Sequence, residues 1–393
     1  MVGGTATLIV DLGNSETRVT TYFGKTQRGN RRKVTSQLSN IFGRFGDEAE
    51  YQNIMNSQDY SDDDTRVFTL NGERYCTGKM QESEFGTNNI RPSGNVKKYD
   101  SIESKLALCN AFCQGYEDIA RWTQLDLDSI DVVWNLTVLL PADDMEMGAK
   151  AMADLARSIG ELDFQMPEMR KDLVIKHVTI LPEGFCAFLG AAFEKFKVVR
   201  EGYDKLFEEG TLTMIVDMGA GTTDLSIVNA GALITNSKYT EPIGGNNVEG
   251  KLRQIIRHMG IPRVSNARIT EACKTGILRQ GVKSYDVHEQ LNIAKRDVAD
   301  ELVQMIKDYQ DSSNTKIADI SYVLVCGGGS TTNENDPQMK PITDYVLEFL
   351  HKASDGIELV NLPMIEVDGE LVKASPRLLN VMGAGIASEG GMD

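Results

Sequence analysis

One sequence pattern occurs twice in the chain, as TLIVDLGNSETRVTTY at residues 7–22 and as TMIVDMGAGTTDLSIV at residues 213–228. In each copy an apolar run leads to an aspartate, one hydrophobic residue, a glycine and a cluster of small polar residues. A second run rich in β-branched residues follows. The two copies lie about half the chain length apart, so the repeat predicts two related domains rather than a solenoid.

Each copy has the residue chemistry of a β-hairpin. Residues 8–11 and 214–217 are short apolar strands, a glycine-containing turn reverses the chain, and residues 18–22 and 225–228 return. A turn of glycine, serine and threonine exposes backbone N–H groups and hydroxyls that suit a phosphate. The leading carboxylate can hold a hydrated Mg²⁺ against that phosphate. Two such turns facing each other would bind one nucleotide between the domains, and two ordinary tight hairpins are the alternative.

A third feature is a run of three glycines after an apolar strand. Residues 322–325 are apolar and lead into Gly327, Gly328 and Gly329. Without side chains, this backbone can lie flat against a large planar group or a phosphate. An ordinary loop is the alternative.

Size and charge narrow the function classes. The 393 residues exceed the length at which a single hydrophobic core usually stops growing, which favours two domains. The 41 Lys and Arg residues against 57 Asp and Glu residues give a formal net charge of −16. Such a surface repels DNA phosphates and anionic lipids, so we expect no direct DNA binding and no membrane contact. A basic adaptor would have to carry any contact with DNA.

Cysteine usage and the N-terminal residues predict a reduced, cytoplasmic protein. Six cysteines are too few for a disulfide scaffold in a chain of this length. Cys109 and Cys113 can share one helix face, and we expect buried thiols there rather than zinc ligands. The N-terminal apolar run is interrupted by Asp11 and lacks a basic region, so no signal peptide is predicted. No apolar run is long enough to span a membrane.

Between these motifs, strands alternate with helices, as is typical of α/β domains whose sheets are flanked by helices. Residues 29–95 are polar and loop-rich, and predict a small inserted subdomain with a hairpin through residues 68–75. Further helices are predicted at residues 102–119, 145–158, 184–198, 288–309 and 342–353, with another ending near His258, and further strands at 131–140 and 173–180.

Together these features resemble the actin-type ATPase superfamily. LIVDLGNSETRV and MIVDMGAGTTDLSIV resemble its two phosphate motifs, VLVCGGGS its adenosine motif, and ILPEGFCAFLGA and LLNVMGAGIAS its two connecting segments. The resemblance implies an α/β fold of two related actin-like (ribonuclease H-like) domains around a central nucleotide cleft. The implied domains are residues 1–195, with a subdomain at about 29–95, and residues 196–393, with a subdomain at about 246–315.

Within the superfamily, the chain is most similar to the ParM (StbA-type) actins that segregate plasmids. The WNLTVLLPADD and LPEG segments, the chain length and the polar insertion carry this similarity. It implies a slow ATPase that binds ATP or GTP with Mg²⁺ and polymerises into dynamic filaments. It also implies a DNA-bound, ParR-like adaptor at a centromere-like site. A small-molecule, sugar-type kinase and a chaperone-like ATPase on the same fold are the alternatives.

The resemblance also implies roles for individual residues. Asp11 and Asp217 would flank Mg²⁺ through its water shell, Asp217 would take part in catalysis, and Glu183 would position the attacking water. The phosphate contacts would come from Gly13, Asn14, Ser15, Arg18, Gly219, Gly221, Thr222 and Thr223. The adenosine contacts would come from Gly327, Gly328, Gly329, Glu271 and Lys274.

Four of these residues carry an alternative interpretation or depart from the family pattern. An acidic residue such as Glu183 is also favoured at a helix start by the helix dipole, and Glu271 with Lys274 can be a surface ion pair. Family members commonly carry lysine where this chain has Arg18. Arginine keeps the positive charge but presents a planar fork, so its phosphate contact need not be equivalent.

Overall fold

The computed structural model describes residues 2–14, 16–25, 31–46, 48–55, 65–78, 89–90, 97–161, 164–166, 172–234, 237–261, 263–313, 315–330, 336, 338–354, 356–367 and 370–389. The chain forms two compact units, Met1–Pro182 and Glu183–Asp393. The domain limits expected from the sequence, 1–195 and 196–393, stay a prediction.

The first unit is built on a five-stranded main sheet. Its elements are β1 (Val2–Leu12), β2 (Glu16–Lys25), β3 (Arg31–Ser39), β4 (Phe42–Arg44), α1 (Glu48–Met55), β5 (Thr65–Leu70), β6 (Glu73–Gly78), β7 (Asn89–Ile90), α2 (Ile102–Thr123), β8 (Ile130–Leu140), α3 (Met145–Glu161), β9 (Phe164–Gln165) and β10 (Val174–Pro182). The main sheet has the order β10–β8–β1–β2–β3, and a second sheet has the order β7–β4–β6–β5–β9.

The second unit contains a comparable main sheet. Its elements are α4 (Glu183–Ala192), β11 (Phe193–Lys195), β12 (Val198–Val199), β13 (Leu212–Met218), β14 (Thr223–Asn229), β15 (Ala232–Leu233), β16 (Tyr239–Glu241), α5 (Gly245–His258), α6 (Asn266–Thr275), β17 (Ile277–Gln280), β18 (Lys283–Asp286), α7 (His288–Ser313), β19 (Tyr322–Cys326), α8 (Ile342–Ala353), β20 (Glu358–Leu359), β21 (Met364–Val367), β22 (Glu370–Lys373) and α9 (Leu379–Glu389). The main sheet has the order β15–β14–β13–β19–β20, and β16 also pairs with β14.

The two main sheets share one topology. In each, the first two strands of the sheet in chain order form an antiparallel hairpin, β1–β2 or β13–β14. The first strand of that hairpin also pairs in parallel with a later strand, β8 or β19. A further parallel strand, β10 or β20, completes the pattern. The predicted α/β fold of two related halves is therefore confirmed, and the hairpins lie where the repeat placed them.

The core of the first unit lies between its main sheet and α2. Trp134 on β8 is fully buried and packs edge-on against Phe112 and Tyr116 of α2. Packing explains the glycine at position 115 in the middle of that helix, because a Cβ there would lie 2.7 Å from the Trp134 ring. In the second unit, the predicted apolar stripe of α7 is confirmed as buried: Leu291, Ala294, Val298, Leu302, Met305 and Tyr309.

Most predicted elements are confirmed, but the helix expected at residues 184–198 is wrong beyond Ala192. After that residue the chain forms the β11–β12 hairpin, with Lys197 in the left-handed region at φ 61°. The Phe193 ring packs against Phe207 at 5.2 Å between centroids, so a tertiary contact overrides the helical pattern. A second difference is β3, which pairs along β2 inside a region predicted to be loop-rich.

The two helices at the predicted connecting segments, α4 and α9, are in direct backbone contact. A Cβ at Gly383 would lie 1.7 Å from the Cys186 carbonyl oxygen, and one at Gly190 would lie 2.3 Å from the Leu379 carbonyl oxygen. The contact requires both glycines, because neither position has room for a side chain.

Cys109 and Cys113 are fully buried, as predicted. All six cysteines lie in the described part of the chain as thiols, and all except Cys273 are buried. Among the described residues, no helix is long and apolar enough to cross a membrane.

Candidate functional site

The β13–β14 turn of the second unit is held by its neighbours. The Gly219 N–H donates to the Thr222 carbonyl oxygen at 2.8 Å, which closes the turn. The first N–H groups of α5 donate to the same turn: Gly245 to the Gly219 oxygen at 3.0 Å, and Asn246 to the Ala220 oxygen at 2.8 Å. Two carbonyls of the turn therefore point toward the start of α5.

The orientation of the turn amides follows from this contact. In a trans peptide the N–H points opposite to the carbonyl of the same peptide unit, and the chain has no cis peptide among its described residues. The amides of Ala220 and Gly221 are therefore directed away from α5. Thr223 supports the turn instead, because its hydroxyl donates to the Ile243 oxygen at 2.6 Å. The half-buried Thr222 hydroxyl is a further hydrogen-bond donor of the β13–β14 turn.

The triglycine loop (residues 327–329) lies directly against this hairpin. Gly327 has a φ of +86°, and a Cβ there would lie 2.3 Å from the Met218 oxygen and 2.4 Å from Asp217 Oδ1. A Cβ at Gly329 would lie 2.2 Å from the Gly219 oxygen. The structure thus brings two of the predicted motifs together, and glycine is required because no side chain fits between them.

Asp217, at the carboxyl end of β13, is buried beside a residue that sequence reasoning missed. Its side chain is only 5% exposed, and its Oδ2 accepts a hydrogen bond from Asn380 Nδ2 at 2.9 Å. Asn380 is the second residue of α9, and its buried Oδ1 has no hydrogen-bond partner among the described residues. The only signal in the sequence was a polar residue within the otherwise apolar LLNVMGAG segment.

Glu183 is the first residue of α4 and is 7% exposed. The next residue, Gly184, fixes its surroundings: a Cβ there would lie 3.2 Å from Ser226 Oγ and 3.5 Å from Ile215 Cγ2. The start of α4 therefore packs on β13 and β14, the strands of the hairpin that carries Asp217. A helix-start role for Glu183 is compatible with the same position.

In the first unit, the β1–β2 turn is equally tight. A Cβ at Gly13 would lie 2.4 Å from the Glu16 carbonyl oxygen. The buried Asn40, also missed from the sequence, donates from Nδ2 to the Gly13 oxygen and accepts at Oδ1 from the Thr17 hydroxyl at 2.7 Å. Asn14 is half-buried in this turn, and Ser15 lies outside the described residues.

Arg18 lies beside the aspartate that leads this hairpin. The two residues are opposite each other across β1 and β2, and Arg18 Nη1 lies 3.3 Å from Asp11 Oδ2. Both side chains are buried, and within the described part of the chain Arg18 Nε has no hydrogen-bond partner. Asp11 thus pairs with a positively charged group, and Asp217 accepts a hydrogen bond from an amide.

Glu271 and Lys274 are both exposed on α6, three residues apart. This helix contacts α5 through the Thr270 hydroxyl, which donates to Glu249 Oε1 at 2.9 Å. Burial raises the pKa of the Glu249 carboxyl, while the Thr270 hydrogen bond and nearby positive charges, Lys274 among them, lower it. Lys274 therefore interacts electrostatically with a residue that the sequence did not single out.

The donor set at Asp217 suits a hydrated Mg²⁺. In the part of the chain that the structure describes, no group of three or more His, Cys, Asp or Glu residues could hold a metal ion by itself. Mg²⁺ retains several waters in proteins and needs only one or two carboxylates besides the substrate phosphates. The Asp217 carboxylate and the Asn380 oxygen, which accepts no hydrogen bond from any described residue, match that requirement.

Comparisons with known proteins give the fold. No protein-family profile matches the chain, and no curated protein matches it in sequence. Among solved structures, the actin-like protein Alp7A is similar with a TM-score of 0.67 at 15% identity, over 99% of this chain and 97% of that one. A 15-stranded ParM filament from Clostridium botulinum has a TM-score of 0.62 at 14% identity, over 99% and 100% of the two chains. Bacillus thuringiensis ParM with ATP has a TM-score of 0.58 at 14% identity, over 98% and 99%. The chain therefore has the actin-like fold along nearly its whole length.

Proposed function

We propose that this chain is an actin-like ATPase that polymerises into dynamic filaments when it binds a nucleotide. The observation that carries the proposal is the convergence, in the second unit, of the β13–β14 turn, the triglycine loop and the start of α5 beside the buried Asp217. Solved proteins of the same fold include a ParM filament and a ParM with ATP, which supports the assignment.

The nucleotide would be ATP or GTP, bound by its phosphates. Backbone N–H groups that point out of a tight turn form an anion site, and the amides of Ala220 and Gly221 with the Thr222 hydroxyl supply such donors. Gly327, Gly328 and Gly329 offer a flat backbone for the adenosine end. In the first unit, the turn at Gly13 and the Arg18 guanidinium supply further donors to phosphate, as the resemblance implies.

The chemistry would be hydrolysis of the terminal phosphate. Asp217 would hold the waters of a bound Mg²⁺, with Asp11 as the second carboxylate implied by the resemblance, and the cation would supply charge neutralisation at the phosphates. Glu183 orients the attacking water or accepts its proton, a role that typically contributes about 10²- to 10⁴-fold in rate. Glu271 and Lys274 would contact the ribose and adenine.

The same proposal includes the contacts by which the filament grows and the way in which the filament is coupled to its cargo. Open filaments need heterologous, head-to-tail contacts, and nucleotide hydrolysis shifts the chain between conformations that favour and disfavour them. The net charge of −16 opposes direct contact with DNA, so a basic, ParR-like adaptor at a centromere-like site would couple the filament to a plasmid in the cytoplasm.

The test combines light scattering, electron microscopy and phosphate release. Scattering should rise on adding ATP and Mg²⁺ and later decay. Glu183→Gln should slow phosphate release by about 10²-fold or more and prolong the filaments. Glu194→Gln, on the exposed face of β11, is the matched control and should change neither signal.

Two results would contradict the proposal. One is a flat scattering trace with ATP at every protein concentration tested, without filaments by microscopy. The other is phosphate transfer to a sugar without assembly, which would favour the kinase alternative.

A further inference from the structure

Two β-hairpins of the second unit lie outside its main sheet. The strands β21 and β22 form one two-stranded sheet, and β17 and β18 form another. Within the described part of the chain, neither hairpin pairs with a strand of the main sheet. A two-stranded hairpin by itself is only marginally stable in water, so each of the two depends on packing against a further surface.

The β21–β22 hairpin is anchored at its base and exposed along its length. The Ala374 N–H donates to the Pro363 oxygen at 2.8 Å, and Ile365 packs against the core that α4 and α9 share with the main sheet. Beyond this base, all four residues of β22 are exposed. Met364 is 53% exposed and Leu371 is 71% exposed, and the strand register makes them diagonal neighbours on one face. Exposed apolar surface of this kind marks an interaction site.

Acidic residues border this apolar surface. Glu366 lies opposite Leu371 in the register, Glu370 begins β22, and both glutamates are exposed. Residues 364–373 contain three acidic residues and one lysine, so the hairpin carries an excess of negative charge. Among the described residues, no basic side chain forms an ion pair with Glu366 or Glu370. Their charges are therefore available to a partner.

The β17–β18 hairpin has the complementary character. Val282, in its turn, is fully exposed, and Arg279 and Lys283 beside it are exposed as well. Neither of these two basic side chains forms an ion pair with a described residue. The acidic residue of this hairpin, Asp286, is already paired with His288, with 2.7 Å between Oδ1 and Nδ1. The hairpin thus presents an apolar tip flanked by positive charge.

The two hairpins lie on opposite sides of the main sheet of the second unit. Alternate residues of β13 belong to two different cores: Met214 and Val216 to one, and Ile215 to the other. The first core contains Leu278 of β17, and Ile365 of β21 packs against the second. A head-to-tail contact needs two different, complementary patches on the same chain, and this arrangement lets each copy bind one neighbour through each patch.

We propose that the β21–β22 hairpin of one copy docks on the β17–β18 hairpin of the next copy in the filament. Val282 of one copy packs against Met364 and Leu371 of its neighbour, and the basic residues of the first hairpin face the glutamates of the second. The partner is a second copy because this chain itself carries both complementary patches, and a solved protein with the same fold is a ParM filament. This inference rests on the proposed function, because it names the contact by which the proposed filament grows.

Charge reversal tests the contact in the full chain. One variant carries Glu366→Lys with Glu370→Lys, and the other carries Arg279→Glu with Lys283→Glu. Either variant places like charges at the contact, so the critical concentration for sedimentation with ATP and Mg²⁺ should rise by at least about 10-fold.

Restoring the opposite charges should restore assembly. In an equimolar mixture of the two variants, each reversed hairpin meets an oppositely charged hairpin of the other variant. The mixture should therefore sediment near the critical concentration of the wild type, and so should one chain that carries all four substitutions. A variant that had merely lost its fold would not be rescued by mixing.

The control variant carries Glu208→Lys with Glu209→Lys, because these two exposed glutamates lie outside both hairpins and give the same change of charge as the first variant. It should assemble like the wild type. All variants should also bind a fluorescent, non-hydrolysable ATP analogue with the affinity of the wild type, since neither hairpin belongs to the candidate nucleotide site.

The inference is overturned if either reversal variant assembles at the critical concentration of the wild type, or if neither the mixture nor the fourfold variant regains assembly. Normal assembly of the Glu366→Lys, Glu370→Lys variant would leave the β21–β22 hairpin to another protein, such as a basic adaptor. Each of these results leaves the proposed function intact, because the wild type still forms filaments. A wild type that forms no filaments overturns the proposed function and this inference with it.

Discussion

Replacing Gly327 by alanine tests the contact between the triglycine loop and β13. The added Cβ would lie 2.3 Å from the Met218 carbonyl oxygen and 2.4 Å from Asp217 Oδ1. Neither neighbour can yield easily, because one is strand backbone and the other is a carboxylate held by Asn380. The loop or the strand must therefore move, and the hairpin that carries the candidate site must move with it.

The expected loss of unfolding free energy in Gly327→Ala has two parts. A non-glycine residue in the left-handed region costs about 1–2 kcal/mol, and an extra methyl group in a filled space typically costs about 1–3 kcal/mol. Gly202→Ala separates the two costs, because Gly202 has the same φ of +86° and no atom of a described residue lies within 4 Å of its Cβ position. The unfolding free energy should fall by about 2–5 kcal/mol in Gly327→Ala and by only the strain part in Gly202→Ala.

Urea unfolding followed by circular dichroism measures both variants. If the slope against urea is unchanged, the shift of the midpoint reports the stability difference directly. Gly327→Ala should also weaken binding of the ATP analogue, whereas Gly202→Ala should not. Equal losses of stability in the two variants would refute the close packing of the triglycine loop on β13 and would remove the main support for the candidate site.

Two further predictions concern pH. Lys295 is 3% exposed, and burial lowers its pKa from 10.5 to about 8. The unfolded chain therefore binds more protons between these values, so stability rises with pH there. Lys295→Met should raise the unfolding free energy at neutral pH by up to about 3 kcal/mol, with a gain that shrinks toward pH 10.5 in urea titrations. His288 lies between Asp286 and Asp336, whose carboxylates raise its pKa above 6.5. The stability it contributes is present at acidic pH and is lost as pH rises through the raised pKa. Asp336→Asn should flatten that dependence in thermal midpoints, and an unchanged profile would contradict it.

Local chemistry made the hairpins and long helices predictable. The Asp–x–Gly turns lie between short runs of consecutive buried strand residues, and α7 repeats its apolar residues with the helical period. These signals depend only on residues that are close in sequence, so they can be recognised without any knowledge of the fold. The end of α4 was mispredicted because the packing of Phe193 on Phe207 is not a local property.

The hydrogen-bond and ion-pair partners of the candidate-site residues could not be predicted in the same way. Asn380 and Asp217 are 163 residues apart in sequence, and Asn40 reaches back to Gly13 from the end of another strand. A single asparagine gives no sign of which carboxylate or carbonyl it will meet. Likewise, Arg18 was recognised as a departure from the family, but its pairing with Asp11 depends on the strand register.

By itself, the sequence determined the duplicated α/β architecture and the two acidic hairpin turns, because turn residues and hydrophobic periodicity act over a few neighbouring positions. Only the tertiary structure decided which groups surround each turn: a guanidinium at Asp11, and an amide and a glycine backbone at Asp217. Hydrogen bonds and charge interactions act over a few ångströms whatever the separation along the chain, so the difference between the two aspartates appears only after folding.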